Sequence, residues 1–352
     1  MPDWSKTMEQ TFEHYIVDTE TWRDMTPLSS VKSCSITRDS TEETKGSASY
    51  DIADEIGECY IRTYLVTRQN GLKERFPLGT FLVQTPSTKF DGRTSSTTID
   101  AYTPLIELKE NPPALGYTIM KDSNIMENAY MIARERMRAP VTKTISQSKL
   151  YSDFVANSND TWLTYLNDLI ANAKYQFDLD ENGRLLFAPI QDSASLQPVK
   201  TYDDDNSSIL YPDLSITHDI YGIPNVVEVV YSKGGEYYEA RAVNDDEDSP
   251  VSTVNRGREI TKRVTDPDLV GDPTKEQIEL YANQLLREVS TLEYTVSYKH
   301  GYCGTRVGDC VRLNYKKAGL DSVTAKIVSQ TIKCEPGCPV TEKAVYTKKL
   351  WR

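Results

Sequence analysis

The sequence predicts a mixed, β-dominated protein in which two β domains bracket two small α+β units. Three observations carry that expectation. Short runs of β-branched and aromatic residues, punctuated by turn residues, recur near both ends of the chain. Two amphipathic helical patterns occupy the middle. Tyr outnumbers Phe 22 to 7, a bias that suits half-buried strands and wet interfaces. At 352 residues the chain exceeds the ~250 residues that one core usually supports, so several modules are expected.

The first segment, 1–109, reads as a β domain. Its strands run Phe12–Val17, Val31–Thr37, Ser47–Ile52 and Tyr60–Thr67. Asn70-Gly71 marks a hairpin, followed by Leu72–Phe76, Gly79–Gln84 and Arg93–Tyr102. Asn111-Pro112-Pro113 changes the texture and opens a small α+β unit over 110–145. There Ile125, Met126, Ala129, Ala133 and Met137 share a helix face, and Pro140 stops the helix. A second α+β unit covers 146–210. Asp160 is its expected N-cap, and Trp162, Leu166, Leu169, Ile170 and Ala173 form a stripe. A hairpin then joins Tyr175–Leu179 to Arg184–Phe187 through Asn182-Gly183.

The last segment, 211–352, returns to strands: Val226–Tyr231, a Gly234-Gly235 turn, and Tyr237–Val243. Asn244–Pro250 carries four acidic residues and reads as a surface loop too polar to pack. Thr274 and Gln277, after Pro273, form a capping box for one helix bearing Ile278, Tyr281, Ala282, Leu285 and Val289. Leu292–Tyr298, Val307–Tyr315, Val323–Lys333 and Thr341–Leu350 close the chain.

The net charge of −12 and pI near 4.9 argue against a surface built to neutralise nucleic-acid phosphates or anionic lipid. No apolar run reaches the ~20 residues that span a membrane, and the N-terminus has no basic-then-apolar leader. Folding in a cytoplasm is expected, with thiols kept reduced.

Phosphate-loop, nucleophile-elbow and zinc-protease motifs are missing from the sequence. The three histidines, His14, His218 and His300, are read as structural or surface residues. Asp178–Gly183 opens like a calcium loop, but the twelfth position is Pro189 where a bidentate Glu is needed, so a hairpin turn is the better reading. Asp203, Asp204 and Asp205 read as a solvated acidic run. Cys34 and Cys59 read as small core residues. A hairpin turning near Ala318-Gly319 would bring Cys303 level with Cys334 and Cys338, with Cys310 along the strand. Such a set could hold zinc or an iron–sulfur cluster as a structural staple, against buried thiols or late disulfides.

Pro77–Val83, Ala101–Leu105, Tyr221–Val226 and Val307–Leu313, taken in order, resemble segments of hub proteins from the baseplates or tail tips of tailed bacteriophages and related contractile injection particles, the Mu-type hub among them. The resemblance implies two tail-tube-like β-barrel domains around the α+β units, in a homotrimer whose six barrel-like units cap a hexameric tube. It implies a ring with a tail tube protein above, a spike or tip protein below, other baseplate proteins around it, and DNA passing through without specific binding. The expected location is the virion tail, after assembly in the host cytoplasm. Some relatives carry a C-terminal hydrolase or fibre domain; the chain ends at Trp351-Arg352 after its last strand, and none is expected here. Acidic side chains facing a channel would repel DNA phosphates. The protein is thus read as a non-catalytic hub. A host-surface or carbohydrate-binding tail protein is the alternative, because tyrosine faces stack on sugars. A cell-wall hydrolase ranks last, because no carboxylate pair stands in a recognisable motif.

Overall fold

In the computed structural model, residues 2–350 are described except 54–55, 91, 94, 192–195, 205–209, 219, 234–235, 266 and 268–273. Strand makes up 48% of it and helix 15%, so the protein is β-dominated. Packing divides the chain into two units. One contains the residues up to Leu214 together with Tyr298–Ala344; the other contains Ser215–Ser297 with the residues from Val345 on.

Burial periodicity explains the first unit's sheet. In β4 (Gly46–Ile52) alternate residues are buried, the signature of a strand with one face on a core. β5 (Tyr60–Gln69), which runs between β1 (Glu9–Val17) and β6 (Leu72–Phe90), is buried on both faces from Tyr60 to Thr67, with Tyr60 in one apolar core and Ile61 and Leu65 in another. The other neighbours are β2 (Asp24–Pro27), β3 (Val31–Asp39) and β7 (Ser95–Tyr102), in the order β2-β1-β5-β6-β7-β4-β3. The sheet continues into C-terminal strands. β3 pairs antiparallel with β19 (Leu320–Lys333), with Ile36 opposite Ile332. Beyond β19 lie β20 (Pro339–Lys349) and β17 (Thr291–Gly301). β18 (Cys310–Tyr315) pairs with β19 and, in parallel, with β12 (Pro198–Asp203). Among the described residues no pairing closes this path into a barrel.

The two runs expected as Leu72–Phe76 and Gly79–Gln84 are one strand, β6. Pro77 lies opposite Tyr64 at a bulge, where a residue without an N–H is tolerated. Between β7 and β12 comes the helical part: α1 (Ile106–Lys109), β8 (Thr118–Ile119), α2 (Ile125–Arg136), β9 (Phe154–Val155), α3 (Trp162–Ala171) and the hairpin β10–β11 (Tyr175–Leu179, Leu185–Pro189). Asn124 caps α2 by accepting the Glu127 N–H. α3 starts one residue later than expected: Thr161, not Asp160, is its N-cap, in a reciprocal box with Thr164. Asp160 instead accepts the Asn157 N–H at 2.8 Å, which draws it back into the preceding turn. The faces of α2 and α3 meet in an apolar core of Met126, Ala129, Ala133, Leu166, Leu169 and Ile170. Each large side chain buried there contributes about 1.5–3 kcal/mol before entropy.

The second unit contains part of β13 (Leu210–His218), β14 (Val226–Lys233), β15 (Glu236–Val243), α4 (Thr253–Arg256), β16 (Thr261–Thr265) and α5 (Lys275–Val289). β14 is central, antiparallel to β15 and parallel to β16. α5 lays Ile278, Ala282 and Leu286 on Val227, Val229, Tyr231, Ala240 and Ala242. Its Thr274–Gln277 capping box is present. β16 is a strand that the sequence pattern did not reveal, because Thr261-Lys262-Arg263-Val264-Thr265 presents a single apolar residue. The acidic loop packs more than expected. Its carboxylates face outward, but Asn244 and Ser249 are buried and bonded to each other at 3.0 Å. The Gly234-Gly235 turn, Pro273 and Asp205 lie outside the described residues.

Candidate functional site

The most elaborate chemistry in the protein lies in the first unit, around one carboxylate. β20 turns Val340, Glu342 and Ala344 inward, all fully buried, so strand periodicity places a glutamate in a core position. Both of its oxygens are occupied. Oε1 accepts from Thr305 Oγ1 at 2.6 Å and from Gln330 Nε2 at 2.7 Å. Oε2 accepts from the Tyr298 hydroxyl at 2.6 Å and faces His300 Nε2 at 3.2 Å. His300 Nδ1 lies 2.7 Å from the Gly301 carbonyl, and the Tyr202 hydroxyl lies 3.3 Å from Nε2.

Burial would raise the Glu342 pKa, but the hydrogen bonds and charge of His300 and the hydroxyls of Thr305 and Tyr298 bring it below the ordinary value. Burial would lower His300, but its bonds to Cys303 and Glu342 and the Glu342 charge raise it to about 10. The pair is therefore ionised at neutral pH. A buried ion pair of this kind tolerates the loss of neither member.

The network continues toward the helical part. Gln330 Oε1 accepts from Arg38 Nη1 at 3.0 Å. Arg38 also lies 3.6 Å from Glu181, which Arg306 holds at 2.7 Å. Glu181 belongs to the β10–β11 turn, and a third arginine, the buried Arg62, reaches the same turn. Arg62 bonds Thr80 at 2.9 Å, Asp24 at 3.0 Å and the Asn182 carbonyl at 3.1 Å. Trp22 Nε1 donates to that carbonyl at 2.7 Å. Gly183 completes the latch: its φ is +77°, and a Cβ would meet Thr80 at 2.9 Å. The expected hairpin turn is thus clamped onto the N-terminal sheet.

The structure does not bring the four late cysteines together as one set. Cys303 stands beside Tyr202 and His300, with its sulfur 3.2 Å from the Tyr202 hydroxyl and 3.8 Å from Nδ1. Cys310 is buried at the start of β18. The backbone N–H of Cys334 donates to Cys34 across the β3–β19 pairing, and Cys338 is buried in the same apolar core. The register that would level Cys303 with Cys334 is broken because β18 begins only at Cys310. Gly304 and Gly308, both at positive φ, turn the intervening chain aside. Among the described residues, no three His, Cys, Asp or Glu side chains are placed to hold a metal.

His14 is buried against Thr63 at 3.1 Å, and burial lowers it to about 4. His218 stacks near Tyr294. Asp203 accepts from Asn314 at 2.6 Å. The sequence reading missed Glu342, Thr305, Gln330 and the role of His300. The available signal was the period-two run Val340, Glu342, Ala344, with a charge where the core face should be apolar.

No protein-family model matches the chain, and no curated protein matches it. Solved structures do. A tail protein from Neisseria meningitidis MC58 shares 12% identity over 97% of this chain and 98% of its own, with a TM-score of 0.64. The 43 kDa tail protein of prophage MuSo2 from Shewanella oneidensis shares 11% over 96% and 98%, at 0.61. A chain of the Francisella PdpA–VgrG complex shares 9% over 98% of this chain and 53% of its own, at 0.56. No helix among the described residues is long and apolar enough to cross a membrane. From β1 to β20, the chain has the fold of phage tail proteins.

Proposed function

We propose that this protein is a non-enzymatic structural subunit of a phage tail, and within it a hub: a homotrimeric ring that joins the tail tube to the central spike or tip. The observation that supports this reading is the extent of the structural likeness, which covers nearly the full length of both chains for two tail proteins. A shared domain grafted onto an unrelated protein would align in part only.

In this reading the segments 1–109 and 211–352 supply two tail-tube-like barrel units per subunit, and 110–145 and 146–210 space them. The partners are a second and third copy, the tube protein, the spike or tip protein and other baseplate proteins, with DNA passing through the channel unbound. The clamped β10–β11 turn suits a part that transmits load, because Arg62, Arg306 and Trp22 all hold it. The test is the solution mass of the full chain with electron-microscope projections of the same sample, alone and with tube protein. Three-fold rings with pseudo-six-fold symmetry are expected. A monomer that stays monomeric with tube protein overturns the hub reading.

A further inference from the structure

Glu342 Oε1 accepts from Thr305 and Gln330 and Oε2 accepts from Tyr298, while Oε2 faces His300 Nε2 at 3.2 Å. On the other side of the ring, Nδ1 faces the Gly301 carbonyl, which can only accept and so places a proton on Nδ1. The buried carboxylate against Nε2 favours a second proton there, and with it the imidazolium. The sulfur of Cys303 lies 3.8 Å from Nδ1 and 3.2 Å from the Tyr202 hydroxyl, which has one proton to give. The other titratable groups facing this site are Tyr298, from β17, Tyr302, just after it, and Glu342, from β20. A thiol, an imidazolium and an orienting carboxylate in series form the arrangement that activates a nucleophilic sulfur.

Exposure separates this thiol from the rest of the network. His300 and Glu342 are sealed in the core, whereas Cys303 is half-buried. The adjoining Gly304 is exposed, and a side-chain carbon placed there would meet nothing within 4 Å. The chain next to Cys303 is thus open to solvent on the Gly304 side. Cys59 is also half-buried but has Glu58 for a neighbour in place of a cation.

We propose that Cys303 is a reactive thiolate site that hydroperoxides oxidise selectively to a sulfenic acid. The sulfur attacks one peroxide oxygen and an S–O bond forms as the O–O bond breaks. The departing hydroxide takes a proton from solvent and leaves as water. Sulfur is oxidised, the peroxide is reduced, and the oxidant is named by the reaction itself. Burial alone would hold this thiol up, and the hydrogen bond and charge of His300 with the Tyr202 bond bring it below its ordinary value.

The test treats the full-length protein with limiting hydrogen peroxide in the presence of dimedone and maps labelled peptides by mass spectrometry. Cys59 is the internal control. At pH 6 the Cys303 peptide is expected to carry about tenfold more label than the Cys59 peptide, with the gap closing as pH rises. Equal or weaker labelling of Cys303 overturns the proposal. Tyr202→Phe keeps the ring and removes only the hydroxyl. With an unchanged circular dichroism spectrum, it should lower Cys303 labelling several-fold and leave Cys59 unaffected. Unchanged Cys303 labelling in that variant also counts against the site.

Discussion

The helical core around α2 and α3 and the strand core around Glu342 belong to the same packing unit, yet they are held by opposite means. The first is an apolar interlock in which every buried group is interchangeable to a degree. The second is a set of mutually dependent polar groups gathered on one buried carboxylate. The contrast teaches that burial alone does not predict how a site fails: one core should weaken by degrees, the other all at once.

The sharpest test is Glu342→Ala. It removes the carboxylate that His300, Tyr298, Thr305 and Gln330 share, leaves a buried imidazolium without its counter-charge, and should destabilise the protein by about 3–5 kcal/mol, read by urea denaturation. A loss below that of a simple large-to-small change would erase the distinction. Leu166→Ala, in the apolar core, should cost about 2–4 kcal/mol, with the fold retained and the loss confined to cavity formation. Calorimetry on both variants compares the two cores directly.

A pH series separates them further. His300 is raised to about 10, so its contribution is complete below its unfolded value of about 6.5 and fades as pH rises toward 10. Glu342 is lowered, so its contribution holds above about 4.3 and is lost as pH falls through its folded value. His14 is lowered to about 4, so stability also declines as pH falls from about 6.5 through 4. His300→Gln should remove the alkaline decline and leave the His14 part of the acid one. If the alkaline slope persists in that variant, the ion pair is not its source.

Smaller effects belong to the latch and the caps. Trp22→Phe removes the donor to Asn182 and should cost about 1 kcal/mol. Thr274→Ala, at the α5 capping box, should cost about 1 kcal/mol and lower helix content at the onset of thermal unfolding.

The two cores also differed in how plainly the sequence announced them. α2 and α5 were visible because their apolar residues recur with the helical period inside short stretches, the first stopped by Pro140 and the second opened by the Thr274 capping box. The hairpin at Asn182-Gly183 was visible for the same local reason. The Glu342 network was not. Its members come from β12, β17, β19, β20 and one loop, spread from Tyr202 to Glu342, and each looks ordinary beside its chain neighbours. The expected cysteine set rested on a register argument that carried one strand back to Cys303, whereas β18 begins at Cys310, after two glycines at positive φ.

The pairing of Ile36 with Ile332 has a consequence for how the protein is made. A ribosome adding about 5–20 residues each second delivers β19 some 15–60 s after β3. During that interval the edge of β3 that β19 will cover has no partner from its own chain, and an open edge is a template for unwanted pairing. Ser33, Ser35 and Arg38 along β3 give that edge a polar character that lets a nascent chain wait. The first sheet to be translated is among the last to be completed, so a truncated chain cannot offer a finished surface for assembly.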